Sequence, residues 1–301
     1  MNFKRLTSIM GLALGLGCIA APVTAATLYA FQDDDIDFIL DSQGVLKTSG
    51  ALTAGDTFVS VFEMQSFTKG GSNGIPAGQE LTGVAAVTLQ AIIGAGVGAQ
   101  YIFGTPSIPL SSLAGYSGPA LGAGAAVAMF FNGAPGGGID RNLELDRAVN
   151  AATNCTSFSD CVEQATLGTL YQVDGFLGDP DELWVATQIL PGGGDIGTVL
   201  GTNNSILVAS FNVALSTLFN STGAVEFTNI ATGLPCGTPG YIADGCVQLT
   251  GSGTLTGGRG LANGAVAHSD FDAQKFVPEP ASLALLGIGL LGLGAMRRRR
   301  A

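Results

Sequence analysis

The densest group of ionisable side chains in this 301-residue sequence is Asp33-Asp34-Asp35-Ile36-Asp37, with Asp41 close behind. Carboxylates supply hard oxygen ligands, so Asp33, Asp34, Asp35 and Asp37 form a candidate calcium site. The run lacks the ligand spacing and the distal Glu of an EF-hand loop. Acidic runs near the start of a mature chain are more often solvated, or used to cap turns. A solvated or capping run is therefore the expectation, with calcium as the alternative and no other cofactor. Gly178-Asp179-Pro180-Asp181-Glu182 is a second acidic stretch, for which ordinary turn chemistry is expected.

Catalytic chemistry has little to work with. His268 is the only histidine, so any imidazole-dependent reaction must use it. It sits in Ala267-His268-Ser269-Asp270, but neighbours in sequence are not the geometry of a triad. No Gly-x-Ser-x-Gly elbow occurs between a strand and a helix, and the acids show no glycosidase pattern. Gly192-Gly193-Gly194 lacks the lysine of a phosphate-binding loop. No catalytic residue is assigned, His268 is expected at the surface, and the protein is not expected to be an enzyme.

Four cysteines lie beyond the first 25 residues: Cys155, Cys161, Cys236 and Cys246. Zinc would want Cys-x-x-Cys spacing or a second His, and neither is present. Disulfides are the expected use in an oxidising compartment. Three connectivities are possible, and local pairing, Cys155 with Cys161 and Cys236 with Cys246, is preferred because each pair closes one short segment.

The elements that must position these residues read as strands. The chain has 46 glycines and 12 prolines, and only 12% of its residues are charged. That composition excludes a coiled coil, and a net charge of −11 excludes a nucleic-acid partner. Val87, Leu89 and Ala91 alternate with polar residues, as do Ala209, Phe211, Val213 and Leu215, Val225 and Phe227, and Val247 and Leu249. Gly70 to Gly74, Pro135 to Gly138 and Pro191 to Gly194 punctuate them. Gly94 to Gly98 reads equally as a flat strand or a loop. One helix is expected from Asp160 to about Leu170, capped by Ser157 or Ser159, with Val162, Ala165, Leu167 and Leu170 as its apolar stripe. The expected fold is mainly β: an antiparallel β-sandwich or barrel-like body with one short helix.

The two ends are different in kind. Residues 1–25 read as a signal peptide: Lys4 and Arg5, an apolar run from Ile9 to Ala21, and small residues before cleavage at Ala25 or Ala26. At the other end Pro278-Glu279-Pro280 precedes sixteen uncharged residues, Ala281 to Met296, and then Arg297, Arg298, Arg299 and Arg300. Sixteen helical residues reach about 24 Å, enough to span a membrane with local thinning and snorkelling arginines. The arginines place that end in the cytoplasm and the body outside, the orientation the signal peptide also imposes. The organisation is thus 1–25 signal helix, 26–276 exported body, and 277–301 tail with a transmembrane helix.

The tail of Pro278, Glu279 and Pro280, a short apolar helix and Arg297 to Arg300 resembles the PEP-CTERM sorting signal. The resemblance implies recognition by an exosortase, a membrane-embedded cysteine transpeptidase. It also implies transient residence in the inner membrane, cleavage near the motif, and delivery of the body to the cell surface or beyond. Phe31-Gln32-Asp33, Gly55-Asp56-Thr57-Phe58 and Gly78-Gln79-Glu80-Leu81-Thr82-Gly83-Val84 are similar to PEP-CTERM proteins linked to flocculation. That similarity implies a structural or adhesive role in floc or biofilm, with extracellular polysaccharide or other matrix components as partners. A carbohydrate-binding module is the alternative reading, and a secreted hydrolase a more distant one. With Lys4, Arg5 and Arg297 to Arg300 set aside, Ala26 to Pro280 carries six cations against 23 acids, net −17, and is expected to be self-repelling.

Overall fold

Alternating apolar and polar residues put one face of a strand into a core and the other outside, and thirteen strands are present among the described residues. They are β1 (Thr27–Leu40), β2 (Thr57–Lys69), β3 (Ser72–Asn73), β4 (Glu80–Ile93), β5 (Gln100–Gly104), β6 (Ala125–Asn132) and β7 (Leu145–Asp146). After them come β8 (Ala152–Thr153), β9 (Thr169–Gly175), β10 (Leu183–Gln188), β11 (Leu207–Asn220), β12 (Leu249–Gly257) and β13 (Ala267–Val277). The computed structural model describes residues 27–69, 72–133, 143, 145–146, 152–178, 182–192, 194, 207–221, 249–257 and 263–277. The expected strands around Val225 and Val247, the signal helix and the transmembrane segment lie outside the described residues. Among the described residues, no helix is long and apolar enough to cross a membrane.

Eight strands close into an antiparallel barrel in the order β1-β2-β4-β6-β9-β11-β12-β13, with β13 returning to β1. Of the two architectures left open by the sequence, the barrel is the one formed. Closure leaves the ring without a free edge, which a sandwich would have kept. Two long strands, β4 and β11, each serve two partners on one side. Glu80 to Ala85 of β4 pair with β6, and Thr88 to Ile93 pair with β5. Likewise, Ser216 to Asn220 of β11 pair with β9, and Leu183 to Gln188 of β10 pair with the earlier part of β11. Two bridges, β6–β9 and β5–β10, therefore connect β4 to β11.

Gly94, Gly96 and Gly98 all have positive φ and form the turn between β4 and β5, so this stretch is a loop. The helix, α1 (Phe158–Ala165), is shorter than its sequence suggests. Ser157 caps it, its Oγ accepting from Asp160 N at 3.2 Å, and Asp160 favours the positive end of the helix. The helix stops at Ala165, and Leu170 belongs to β9. Gly168 makes the change of direction. Its φ is +93°, and a Cβ there would lie 2.2 Å from the carbonyl oxygen of Phe131. Pairing of β9 with β6 and β11 overrides the helical stripe.

The barrel has a core on its outside as well as an interior. Cys161, Val162 and Ala165 of α1, with Leu110 and Leu113, pack on Ile36 and Phe38 of β1 and Val59 and Val61 of β2. The same layer takes in Val84 and Ala86 of β4 and Ala128 and Phe130 of β6. Phe38 meets Phe158 edge to face at 5.0 Å. Strands β1, β2, β4 and β6 are consequently buried on both faces over most of their length, whereas β11 and β12 keep several exposed or half-buried side chains.

Candidate functional site

In β1 the carboxylates at every second position share one face, and that face turns into the barrel. Asp33 and Asp35 border an internal space together with Ser60 of β2, Ala85 of β4, Met129 of β6, Phe211 of β11 and Ser269 of β13. Side chains from so many strands around the ring converge only at its interior. Asp33, Asp35 and Asp37 are 4%, 3% and 0% exposed. This corrects the expectation of a solvated run. Ile36 and Phe38 need the outer, helix-covered core, so the residues between them must point inward.

The acids are held by hydrogen-bond donors from two neighbouring strands. Phe271 N donates to Asp33 Oδ1 at 2.9 Å. Ser269 N donates to Asp35 Oδ1, while Ser269 Oγ and Ser60 Oγ donate to Asp35 Oδ2 at 2.6 and 3.0 Å. Ser269 Oγ also lies 3.0 Å from Asp37 Oδ1, and Asp37 Oδ2 has no hydrogen-bond partner among the described residues. A hydroxyl has one proton. Ser269 serves both carboxyls at once when one of them keeps its own proton and donates it to the hydroxyl. That role suits Asp37, because burial and the charge of Asp35 hold it away from ionisation.

Electrostatics agrees with that geometry. Burial, followed by the charge of Asp35, raises Asp33 and Asp37 well above the ordinary carboxylate range. Burial also raises Asp35, to about 6, against the opposing hydrogen bonds of Ser269 and Ser60. Chemically this is a row of buried carboxyls in which Asp33 and Asp37 are held toward the protonated form while Asp35 ionises at about pH 6. Asp34 lies outside the row, half-buried on the opposite face of the strand. Among the described residues no group of three or more His, Cys, Asp or Glu is arranged to hold a metal ion.

His268 is 8% exposed within β13, which corrects its expected surface position. Its Nδ1 lies 2.9 Å from the backbone oxygen of Asp35, so the ring fastens β13 to β1. Ser269, its neighbour, is engaged by the Asp35 and Asp37 carboxyls. A second interior polar group comes from β9 and β11: Gln172 Nε2 and Thr217 Oγ1 both donate to the buried Asp174, the latter at 2.9 Å. The sequence reading missed it. The signal available was Gln172-Val173-Asp174, polar residues flanking an apolar one in a strand. At the second acidic stretch Glu182 accepts from the backbone N–H groups of Leu177 and Gly178, and residues 179–181 lie outside the described residues. Asp41 similarly accepts from Gln43 N and Val45 N.

Cys155 and Cys161 form a disulfide that ties the chain entering α1 to the helix itself. Cys236 and Cys246 lie outside the described residues, as do Pro278, Glu279, Pro280 and Arg297 to Arg300. Trp184, the sole tryptophan, is buried and stacks on Phe211 at 6.2 Å. It is therefore not part of an exposed aromatic platform.

The body is thus a β-barrel whose last described strand ends at Val277, with Pro278 next in the chain. Residues 276–300 match the PEP-CTERM protein-sorting motif, so the chain carries the signal of an exosortase-sorted, exported protein. The motif implies passage through a membrane-anchored intermediate to the cell surface, with processing by an exosortase. No curated protein and no solved structure matches the chain.

Proposed function

We propose that this protein is a non-enzymatic component of the cell surface or extracellular matrix, with a structural or adhesive role in polysaccharide-dependent aggregation. One observation carries the reading: the compact unit Leu28–Phe276 ends where the sorting motif at 276–300 begins. Cleavage near Pro278 to Pro280 leaves every barrel strand intact, so the released body needs no refolding. The prolines suit the cut, because they keep backbone extended and unpaired for a protease groove. The interior carboxyls favour a scaffold over a hydrolase, since Ser269 and Ser60 bind them in place and His268 meets a backbone carbonyl. A sugar-binding platform built on tryptophan is disfavoured by the burial of Trp184.

The test is deletion of Val277 to Ala301, with the protein and cell aggregation followed together. The truncated protein is expected to miss surface retention and the cells to aggregate less. Normal surface retention and aggregation would overturn the sorting reading, whereas correct sorting of a full chain whose loss leaves aggregation unchanged would overturn the adhesive one. Intact mass of the surface form is expected to lack both end segments.

A further inference from the structure

We propose that two copies of this protein associate through their β4–β5 hairpins, by antiparallel pairing of the free edge of β4. On one side β4 pairs with β6 and then with β5, as far as Ile93 opposite Gln100. On the other side β2 accompanies it only to Thr88. The last contact there is at Leu89, whose N donates to Asp56 O and whose O accepts from Gly55 N, both at 2.8 Å. Ala91, Ile92 and Ile93 have no strand on that side among the described residues. Consecutive residues of a strand point to opposite faces, yet Ile92 and Ile93 are 42% and 57% exposed, and Val97 in the turn is 61% exposed. Both faces of the hairpin are therefore open, and the extra residue at Gln90 bends the strand where β2 leaves it.

The occupant follows from what this edge offers and what it lacks. An uncovered strand edge presents backbone N–H and C=O groups that another strand can satisfy, and proteins usually guard such edges with charge or proline. No charged residue lies between Glu80 and Asp140, and no proline lies in β4, β5 or the turn between them. A second copy supplies the same edge turned by a two-fold axis, so that Ala91 to Ile93 of each runs antiparallel to its counterpart. Charge favours this site over the rest of the surface. The body is net −17, so copies meeting elsewhere bring acids together, whereas the hairpins bring none. Position favours it too. Leu40 lies opposite Thr57, and Thr57 opposite Thr88, so the hairpin stands at the barrel end where β1 finishes. Val266 N donates to Asp37 O, so the antiparallel β13 starts at that end and runs back toward the beginning of β1. Contact through the hairpins leaves the opposite end, with Leu28 and Phe276, clear. Three paired residues per copy make a small contact, one populated where copies are crowded.

For the test, the full chain is produced in its native cells with the photo-cross-linker p-benzoylphenylalanine in place of Ile93. Irradiation is expected to give a band at twice the monomer mass, in which peptide mass spectrometry joins position 93 to residues 90–100 of a second copy. The same cross-linker in place of Phe219, exposed toward the other end of β11, is expected to give at least tenfold less of that band. Ile92→Lys is expected to reduce the cross-link from position 93 at least tenfold while the amount of protein at the surface stays unchanged. Val97→Lys serves if the first variant does not fold. Absence of the dimer band, equal yields at the two positions, or a band that survives in a folded lysine variant overturns the proposal. Adducts to lipid alone, or to a different protein, overturn the choice of a second copy. The readout is the cross-link itself, so none of these outcomes depends on the aggregation reading.

Discussion

The two faces of β1 invert the usual arrangement of a small barrel. Its inward face carries Asp33, Asp35 and Asp37, and its outward face carries Ile36 and Phe38 under α1. Both faces are dry, yet they hold the strand by different means. The outer face gains from apolar burial and close packing, which need shape and little else. The inner face gains only where each carboxyl finds a partner, and burial makes ionisation costly. The outer core should therefore dominate stability, while the inner row decides how stability depends on pH.

The largest expected effect tests the first half of that contrast. Phe38→Ala removes a fully buried ring and its contact with Phe158, and should cost about 3–5 kcal/mol in denaturant unfolding. A loss below about 1 kcal/mol would show that α1 and β1 do not form a real core. Next comes the staple at the mouth of α1. Replacing both Cys155 and Cys161 by Ser should lower stability by about 2 kcal/mol, the chain-entropy value for so short a loop. Equal unfolding midpoints for the oxidised and reduced wild type would contradict it.

The smallest expected effect, and the most discriminating, concerns pH. A carboxyl whose folded pKa exceeds its unfolded value binds protons more tightly in the native state, so stability falls as pH rises between the two values. For Asp35 that window runs from about 4 to about 6. Asp33 and Asp37 extend it upward. The groups facing them are Ser60 on β2 and Ser269 on β13, with Asp270 adding repulsion at Asp33 and Asp35. The melting temperature should accordingly be higher at pH 5 than at pH 8. Asp37→Asn should flatten the difference by raising stability at pH 8 relative to pH 5. A flat or rising profile in the wild type, or an unchanged slope in the variant, would show that the row is not buried as described.

The same row changes the meaning of the body's charge. A net −17 counts every carboxyl as ionised, yet Asp33 and Asp37 are held toward the protonated form inside the barrel. Self-repulsion between bodies is weaker than the sequence count implies.

Legibility from sequence followed the reach of the interactions involved. Strands such as β11, with one face partly exposed, showed a clean alternation. The Cys155–Cys161 pairing was readable because the two cysteines are only six positions apart. The length of α1 was not, because Gly168 and the demand of β6 and β11 for a neighbour act across the fold. Neither was the burial of His268, whose partner on β1 lies more than 200 residues away.

By itself the sequence determined the C-terminal sorting motif, the β character of the body and the local Cys155–Cys161 disulfide. Targeting signals are read in linear order by charge, hydropathy and spacing, so no tertiary context is needed to recognise them. Only the tertiary structure decided that the sheet closes, that β4 and β11 each serve two partners, and that the Asp33 to Asp37 carboxyls point inward. The physical reason is that a period of two fixes which residues share a face but not which side that face meets. The choice was made by what lies against each side: α1 and its apolar neighbours outside, Ser60 and Ser269 within.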